Sequence, residues 1–154
     1  MSKQELLQTL LAQGIALNEY AQNTFADPGF TTAAESSIVD SVEITVADLG
    51  LTDGGTIGQI HRRMAEVGLA LCPIELGPHL RLQFLDQPEG QLGHARSQHC
   101  APPGSITVAS AELSDSPHTG FYLRRIDGVL WLRGYRSDAD HLWSPEDRLV
   151  FARP

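Results

Sequence analysis

The chain has 154 residues, of which 42% are hydrophobic and 19% are charged, as is ordinary for one globular domain. Its 19 acidic residues outnumber the 11 basic ones, and a formal net charge of −8 makes nucleic acid an unfavourable partner. The sequence has no apolar stretch long enough for a membrane span, and two cysteines are too few for a disulfide framework. We therefore expect a single cytoplasmic domain, residues 1–154, that does not contact membranes.

The first region, residues 1–41, is predicted to contain one helix followed by a long connection. Ser2 begins a capping box, which satisfies backbone N–H groups at a helix start. Apolar residues then recur at helical spacing as far as Tyr20. The helix should end near Asn23, before the turn that Asp27-Pro28-Gly29 enforces.

The second region, residues 42–71, is predicted to form a short strand and a second helix. Apolar residues alternate with polar ones from Val42 to Val46, which is typical of a strand with one buried side. A second capping box begins at Thr56 and precedes an apolar stripe at helical spacing. This pattern predicts a helix over residues 57–67.

The third region, residues 79–154, is predicted to form an antiparallel sheet. In the segment HLRLQFLD, residues 79–86, polar and apolar residues alternate. A strand here would carry Arg81 on its polar side and the apolar residues on the other. Further strands are predicted in SITVASAEL, in the two runs around Asp127-Gly128 and in RLVFARP. Helices followed by strands indicate an α+β fold, with two N-terminal helices packed on one face of a four- to five-stranded antiparallel sheet.

The clearest local feature is a hairpin in GFYLRRIDGVLWLRGYR. Asp127-Gly128 between two alternating runs is typical of a two-residue turn, because both central residues must adopt positive φ. That turn fixes the register and places Arg124 opposite Trp131. One side of the hairpin then carries the apolar residues Phe121, Leu123, Leu130 and Leu132.

The other side of the hairpin carries the residues that we predict to bind a ligand or partner. This aromatic–arginine face consists of Tyr122, Arg124, Trp131, Arg133 and Tyr135. Flat rings beside guanidinium groups suit a sugar, a nucleotide base or the aromatic side chain of a protein partner. The alternative is that these cross-strand pairs only stabilise and cover the sheet. We predict a non-catalytic binding protein that recognises a protein partner or a small ligand through this face.

A loop at residues 93–104, GHARSQHCAPPG, contains potential metal ligands. His94, His99 and Cys100 are the candidates. Structural zinc sites usually present two closely spaced ligand pairs, which this loop lacks. We therefore expect neither a metal nor a cofactor. Cys72 follows an apolar run and is predicted to be a small buried hydrophobic residue.

Two alternative functions belong to other classes. The first is a small hydrolase that uses His and Asp residues from loops at 94–100, 118 and 138–141. The second is a structural or regulatory protein that forms a homodimer. An enzyme would bring His and Asp residues together in a pocket, whereas a binding module would present an open aromatic surface.

Overall fold

The computed structural model describes residues 1–90, 104–111, 113, 119–136 and 140–154. These residues form four α-helices, a short 3-10 turn and one six-stranded sheet. In chain order the elements are α1 (Lys3–Ala12), β1 (Ala16–Leu17), α2 (Glu19–Ala26), β2 (Ser41–Thr45), the 3-10 turn (Ala47–Leu49), α3 (Ile57–Glu66), α4 (Leu76–Gln83), β3 (Ile106–Val108), β4 (Thr119–Ile126), β5 (Val129–Arg136) and β6 (Arg148–Ala152).

The predicted α+β class is confirmed, but the sheet is mixed and has more strands than expected. Its order is β1-β5-β4-β3-β6-β2. The pairs β4–β5, β3–β4 and β2–β6 are antiparallel, whereas β1–β5 and β3–β6 are parallel. The prediction of a purely antiparallel sheet is therefore wrong. The sequence did not indicate the parallel pairs, because they join segments that are far apart in the chain and because β1 has only two residues. Such short strands carry no detectable periodicity.

The hairpin forms with the predicted register. Asp127 and Gly128 have φ angles of 52° and 76°, as the two-residue turn requires. Arg124 pairs with Trp131, and the other pairs follow the predicted alignment. The sequence of the turn was therefore sufficient to predict the strand register, and with it the side of the hairpin on which residues 120–126 and 129–135 lie.

The prediction of a single N-terminal helix ending near Asn23 is wrong, because two helices occupy this region. The first, α1, ends at Ala12, and Gly14 follows with a left-handed φ of 73°. Asn18 then caps α2 by accepting a hydrogen bond from the N–H of Ala21 at 2.9 Å. Apolar residues recur at helical spacing on both sides of the break between α1 and α2, so the sequence pattern did not indicate where α1 ends.

The second region agrees with its prediction. The strand β2 lies at Ser41–Thr45, and α3 spans Ile57–Glu66 behind a complete capping box at Thr56. Residues 27–40, all of which the structure describes, contain neither helix nor strand. This connection crosses the protein surface and lies beside α4 at a cleft described below.

The segment predicted as a strand at 79–86 is instead the end of α4 and the turn after it. Pro78 lies in the first turn of α4, where its missing N–H costs no helical hydrogen bond. Leu76, Leu80 and Phe84 recur every four residues and pack on one core cluster. Alternation over eight residues fits both periodicities, and here tertiary packing favours the helix. As a result Arg81 points into the core instead of facing solvent.

Helices cover both faces of the sheet, so the expectation that the N-terminal helices share one face is wrong. Apolar residues of α1 and α2 pack with Phe121 and Leu132 on one side. On the other side, Ile60 of α3 packs with Leu149 and Phe151 of β6. That second side also carries the aromatic–arginine face, on the neighbouring strands β4 and β5. Within the described residues, no helix combines the length and apolar character that crossing a bilayer requires.

Candidate functional site

The aromatic–arginine face is formed by alternate residues of β4 and β5. The paired register brings all five side chains to one side of the hairpin. Tyr122, Trp131, Arg133 and Tyr135 are partly exposed, whereas Arg124 is only 6% exposed. The accessible part of the face therefore consists of three rings and one guanidinium group, while Arg124 lies within the protein.

The Arg133 guanidinium group is held against two aromatic side chains. Its ζ-carbon lies 4.9 Å from the centre of the Trp131 ring and 6.0 Å from that of the Tyr122 ring. Its Nε donates a hydrogen bond of 2.8 Å to the Tyr122 hydroxyl. A cation over a ring is attracted by the ring's quadrupole, and the hydrogen bond fixes the direction of the guanidinium plane.

Among the described arginines at the surface, Arg133 and the exposed Arg62 lack a carboxylate partner. Arg63, Arg125, Arg148 and Arg153 form ion pairs with Glu66, Glu89, Glu43 and Asp40, respectively. Among the residues that the structure describes, no carboxylate lies within ion-pair distance of Arg133. In a chain with a net charge of −8, this leaves a positioned cation with its terminal amino groups available to an acceptor.

The aromatic contacts continue beyond the predicted face. Tyr135 lies 6.4 Å from Tyr122 and 6.0 Å from Trp143, in each case between ring centres. His141 in turn meets Trp143 edge-on at 5.2 Å. Although the Tyr135 side chain is partly exposed, burial of its hydroxyl raises the pKa of that group. The sequence did not predict that Trp143 and His141 extend this row of rings. Both residues follow β5 in the chain and join the row only through the folding of the segment after the hairpin.

A buried cluster behind the hairpin, centred on Arg81, was missed by sequence reasoning. Arg81 is 0% exposed, and its Nη1 donates to Gln87 Oε1 at 2.6 Å. The same nitrogen reaches the backbone oxygens of Trp131 at 3.2 Å and Arg124 at 3.4 Å. Its Nη2 donates to the Phe84 backbone oxygen. Arg81 thus attaches α4 to the strand pair that carries the centre of the aromatic–arginine face.

The Arg81 guanidinium group is stabilised by neutral acceptors. Among the described residues no carboxylate pairs with it, and burial lowers its pKa to about 10. Gln87 is itself buried and uses its Nε2 to donate to the backbone oxygens of Gly104 and Leu123, each at 3.1 Å. Because Arg81 and Gln87 are both buried and bond to the backbone of the hairpin, we assign the cluster a positioning role for the hairpin.

Most of the residues proposed for metal binding or hydrolysis lie outside the described part of the chain. These are His94, His99, Cys100, His118 and Asp138. Asp140 and His141 are described, and His141 belongs to the aromatic row. Within the described residues, no group of three or more His, Cys, Asp or Glu side chains could hold a metal ion. The hydrolase alternative stays a prediction, because most of its residues lie outside the described part of the chain.

Cys72 is a buried thiol, as predicted. Its Sγ lies 3.5 Å from the backbone oxygen of Val150, to which it donates a weak hydrogen bond. Burial raises the pKa of the thiol to about 12. Because the thiolate is the nucleophilic form, Cys72 is unsuited to covalent catalysis at neutral pH.

The described residues thus contain one partly exposed surface that combines stacked rings with an arginine lacking a carboxylate partner. Its centre is Arg133, between Trp131 and Tyr122. The strand pair that carries it is fixed from behind by Arg81. No family model, no curated protein and no solved structure matches this chain.

Proposed function

We propose that the protein is a non-catalytic binding protein whose aromatic–arginine face recognises a planar acidic group on a protein partner or a small ligand. One observation carries this proposal. The Arg133 guanidinium group lies over Trp131 and is oriented by Tyr122, yet no described carboxylate neutralises it. Arg62 also lacks a described carboxylate partner, but its side chain is exposed, whereas Arg133 is held against two aromatic rings.

The chemistry of Arg133 favours a carboxylate as the recognised group. A guanidinium fork can donate two parallel hydrogen bonds to the two oxygens of a carboxylate. Trp131 and Tyr122 restrict the freedom of this fork before binding, so less conformational entropy is lost when the ligand arrives. A flat group attached to the carboxylate can extend over the exposed part of the ring surface.

Nucleic acid fits this face less well than an aromatic acid or an acidic-aromatic segment of a protein. Binding to a phosphate backbone requires several basic side chains along a track. Here the exposed face offers Arg133 alone, because Arg124 is buried, and the net charge of −8 opposes a polyanion. Tyr, Trp and Arg are also the side chains that contribute most strongly at protein interfaces.

The proposal is tested by an NMR titration with naphthoate, a flat aromatic carboxylate, followed at the Trp131 indole N–H. Naphthamide is the neutral analogue. We expect saturable shifts with naphthoate, and Arg133→Gln should weaken its binding about tenfold, which corresponds to about 1.4 kcal/mol. Arg148→Gln is the matched control because Arg148 is exposed on the same sheet and paired with Glu43.

Three results would contradict the proposal. Naphthoate could fail to shift the Trp131 indole signal, or naphthamide could bind as tightly as naphthoate. Arg133→Gln could also leave the affinity equal to that of the Arg148→Gln control. In each case the face would be a cover for the sheet, and Arg133 would not be a recognition group.

A further inference from the structure

A cleft separate from the aromatic–arginine face lies between α4 and the connection before β2. Its volume is about 350 Å³, which lies at the lower end of the range for small-molecule pockets. It is lined by Met1, by residues 35–39 of the connection, and by Glu75 and His79 at the start of α4. All of them belong to the described part of the chain.

The polar groups of this cleft are organised around Glu75. Its Oε1 accepts a hydrogen bond of 3.0 Å from the Ala33 N–H, which joins the connection to the start of α4. Its Oε2 lies 3.9 Å from Nε2 of His79, one helical turn further along α4. This distance exceeds that of a hydrogen bond, so Oε2 retains the capacity to accept one from another donor. Glu75 is thus oriented on one side and available on the other.

The charge of the cleft favours a cation. Glu35 and Glu75 both line it, and none of its lining residues is Lys or Arg, so its two carboxylates outnumber the one N-terminal ammonium group of Met1. Ser36, Ser37 and Ser41 add hydroxyl groups that can accept hydrogen bonds from an ammonium group. A half-buried carboxylate whose nearest basic side chain is a histidine 3.9 Å away is more favourable when a bound cation replaces its lost hydration.

The remaining walls of the cleft are apolar. Apolar lining residues include Leu76 and Leu80 of α4, Val39 of the connection, and Pro73. At the mouth, Ile38 is 98% exposed, an unusual position for a large apolar side chain next to a pocket. A ligand with an apolar body would remove part of this surface from water.

We propose that this cleft binds a small organic cation, with its ammonium group at Glu75 and an apolar body of about one ring between α4 and residues 38–39. The volume accommodates a ring with a short alkyl chain. This inference does not depend on the proposed function of the aromatic–arginine face, since the two sites share no residue.

The experiment is an NMR titration with phenethylammonium, using the Ala33 amide and the His79 ring as reporters. Phenethyl alcohol is the neutral analogue and hydrocinnamate the anionic one. We expect saturable shifts at both reporters with the cation and much weaker binding of the two analogues. Glu75→Gln should weaken binding about tenfold. The control Glu66→Gln changes an exposed side chain of α3 and should leave binding unchanged.

A second variant keeps the test decisive if Glu75→Gln does not fold. Ile38→Lys changes a fully exposed side chain and introduces a positive charge at the mouth of the cleft, so the fold should persist and phenethylammonium should bind less tightly. The proposal is overturned if phenethylammonium produces no saturable shift at Ala33, if phenethyl alcohol binds equally well, or if folded Glu75→Gln or Ile38→Lys binds phenethylammonium as tightly as the wild type does.

Discussion

At the scale of single residues, Arg133 on the hairpin and Arg81 behind it differ in the groups that surround their guanidinium charge. Arg133 lies over aromatic rings at a partly exposed surface. Arg81 lies wholly inside the protein and is held by backbone oxygens and an amide. A buried guanidinium group is costly to desolvate, and its acceptors become costly in turn if the donor is removed. Arg81 should therefore matter for stability and Arg133 for binding.

Arg81→Met tests this difference in stability. The variant leaves the side-chain oxygen of Gln87 and the backbone oxygen of Phe84 without their donor inside the core. We expect the free energy of unfolding to fall by about 2–4 kcal/mol, because each unsatisfied buried group costs about 1–3 kcal/mol. Urea denaturation measures it. The control Arg62→Met, at an exposed position of α3, should change stability by less than about 0.5 kcal/mol. Equal stability of the two variants would contradict the role assigned to Arg81.

Cys72 allows a chemical test of burial. Since its pKa is raised to about 12, the thiol stays protonated at neutral pH and lacks the reactive thiolate. We expect iodoacetamide to leave Cys72 unmodified in the folded protein and to modify it in urea. Peptide mapping by mass spectrometry assigns the site of modification. Rapid modification of Cys72 in the native protein would show that this part of the core is accessible.

At the scale of elements, α2 and β5 are joined by one side chain. Asn18 Oδ1 accepts hydrogen bonds from the N–H of Ala21 and, at 2.7 Å, from that of Gly134, and its Nδ2 donates to the Gly134 oxygen at 3.0 Å. The backbone at Tyr20 approaches so closely that a Cβ on Gly134 would lie 2.5 Å from it. Only glycine permits this contact, which sets α2 against the strand that carries Trp131 and Arg133.

Asn18→Ala should therefore cost more than the loss of an ordinary helix cap. It removes the cap of α2 and both contacts with β5, and we expect destabilisation of about 2–3 kcal/mol, against about 1 kcal/mol for a cap alone. The matched control is Asn23→Ala, an exposed asparagine of the same helix. Thermal and urea unfolding of both variants measure the difference. Equal losses would mean that Asn18 does not join the helix to the sheet.

The elements that could be predicted from sequence are those fixed by neighbouring residues. Asp127-Gly128 determines its own turn, and the alternation of side chains then places the aromatic–arginine face. By contrast, α4 was predicted as a strand because a short alternating segment also fits a helix. The break at Gly14 was hidden by apolar residues on both sides of it.

The candidate site could be predicted only in outline. Sequence placed five side chains on one side of the hairpin, as the structure does. It did not indicate that Arg124 is buried, that Arg133 lies over Trp131, or that Arg81 supports the hairpin from behind. Those properties depend on contacts between segments distant in sequence, which periodicity does not encode.

At the scale of the whole molecule, helices cover both faces of a mixed sheet but leave different surfaces on the two sides. On the side of α3, the helix packs over β6, and the rings of β4 and β5 stay partly exposed. On the side of α4, the connection before β2 leaves an acidic cleft. The acidic protein thus carries a local cationic group on one surface and a local anionic pocket on another, which predicts ligands of opposite charge.

The central claim is that Trp131 and Arg133 act together as one recognition surface, and a double-mutant cycle on naphthoate affinity, measured by isothermal titration calorimetry, tests it most directly. The cycle compares Trp131→Leu, Arg133→Gln and the double variant, each first shown to fold. Because the ring positions the guanidinium group, we predict a coupling free energy of about 1 kcal/mol, within the range for residues in contact. Losses that add to within about 0.3 kcal/mol, or no loss in either single variant, would contradict the account.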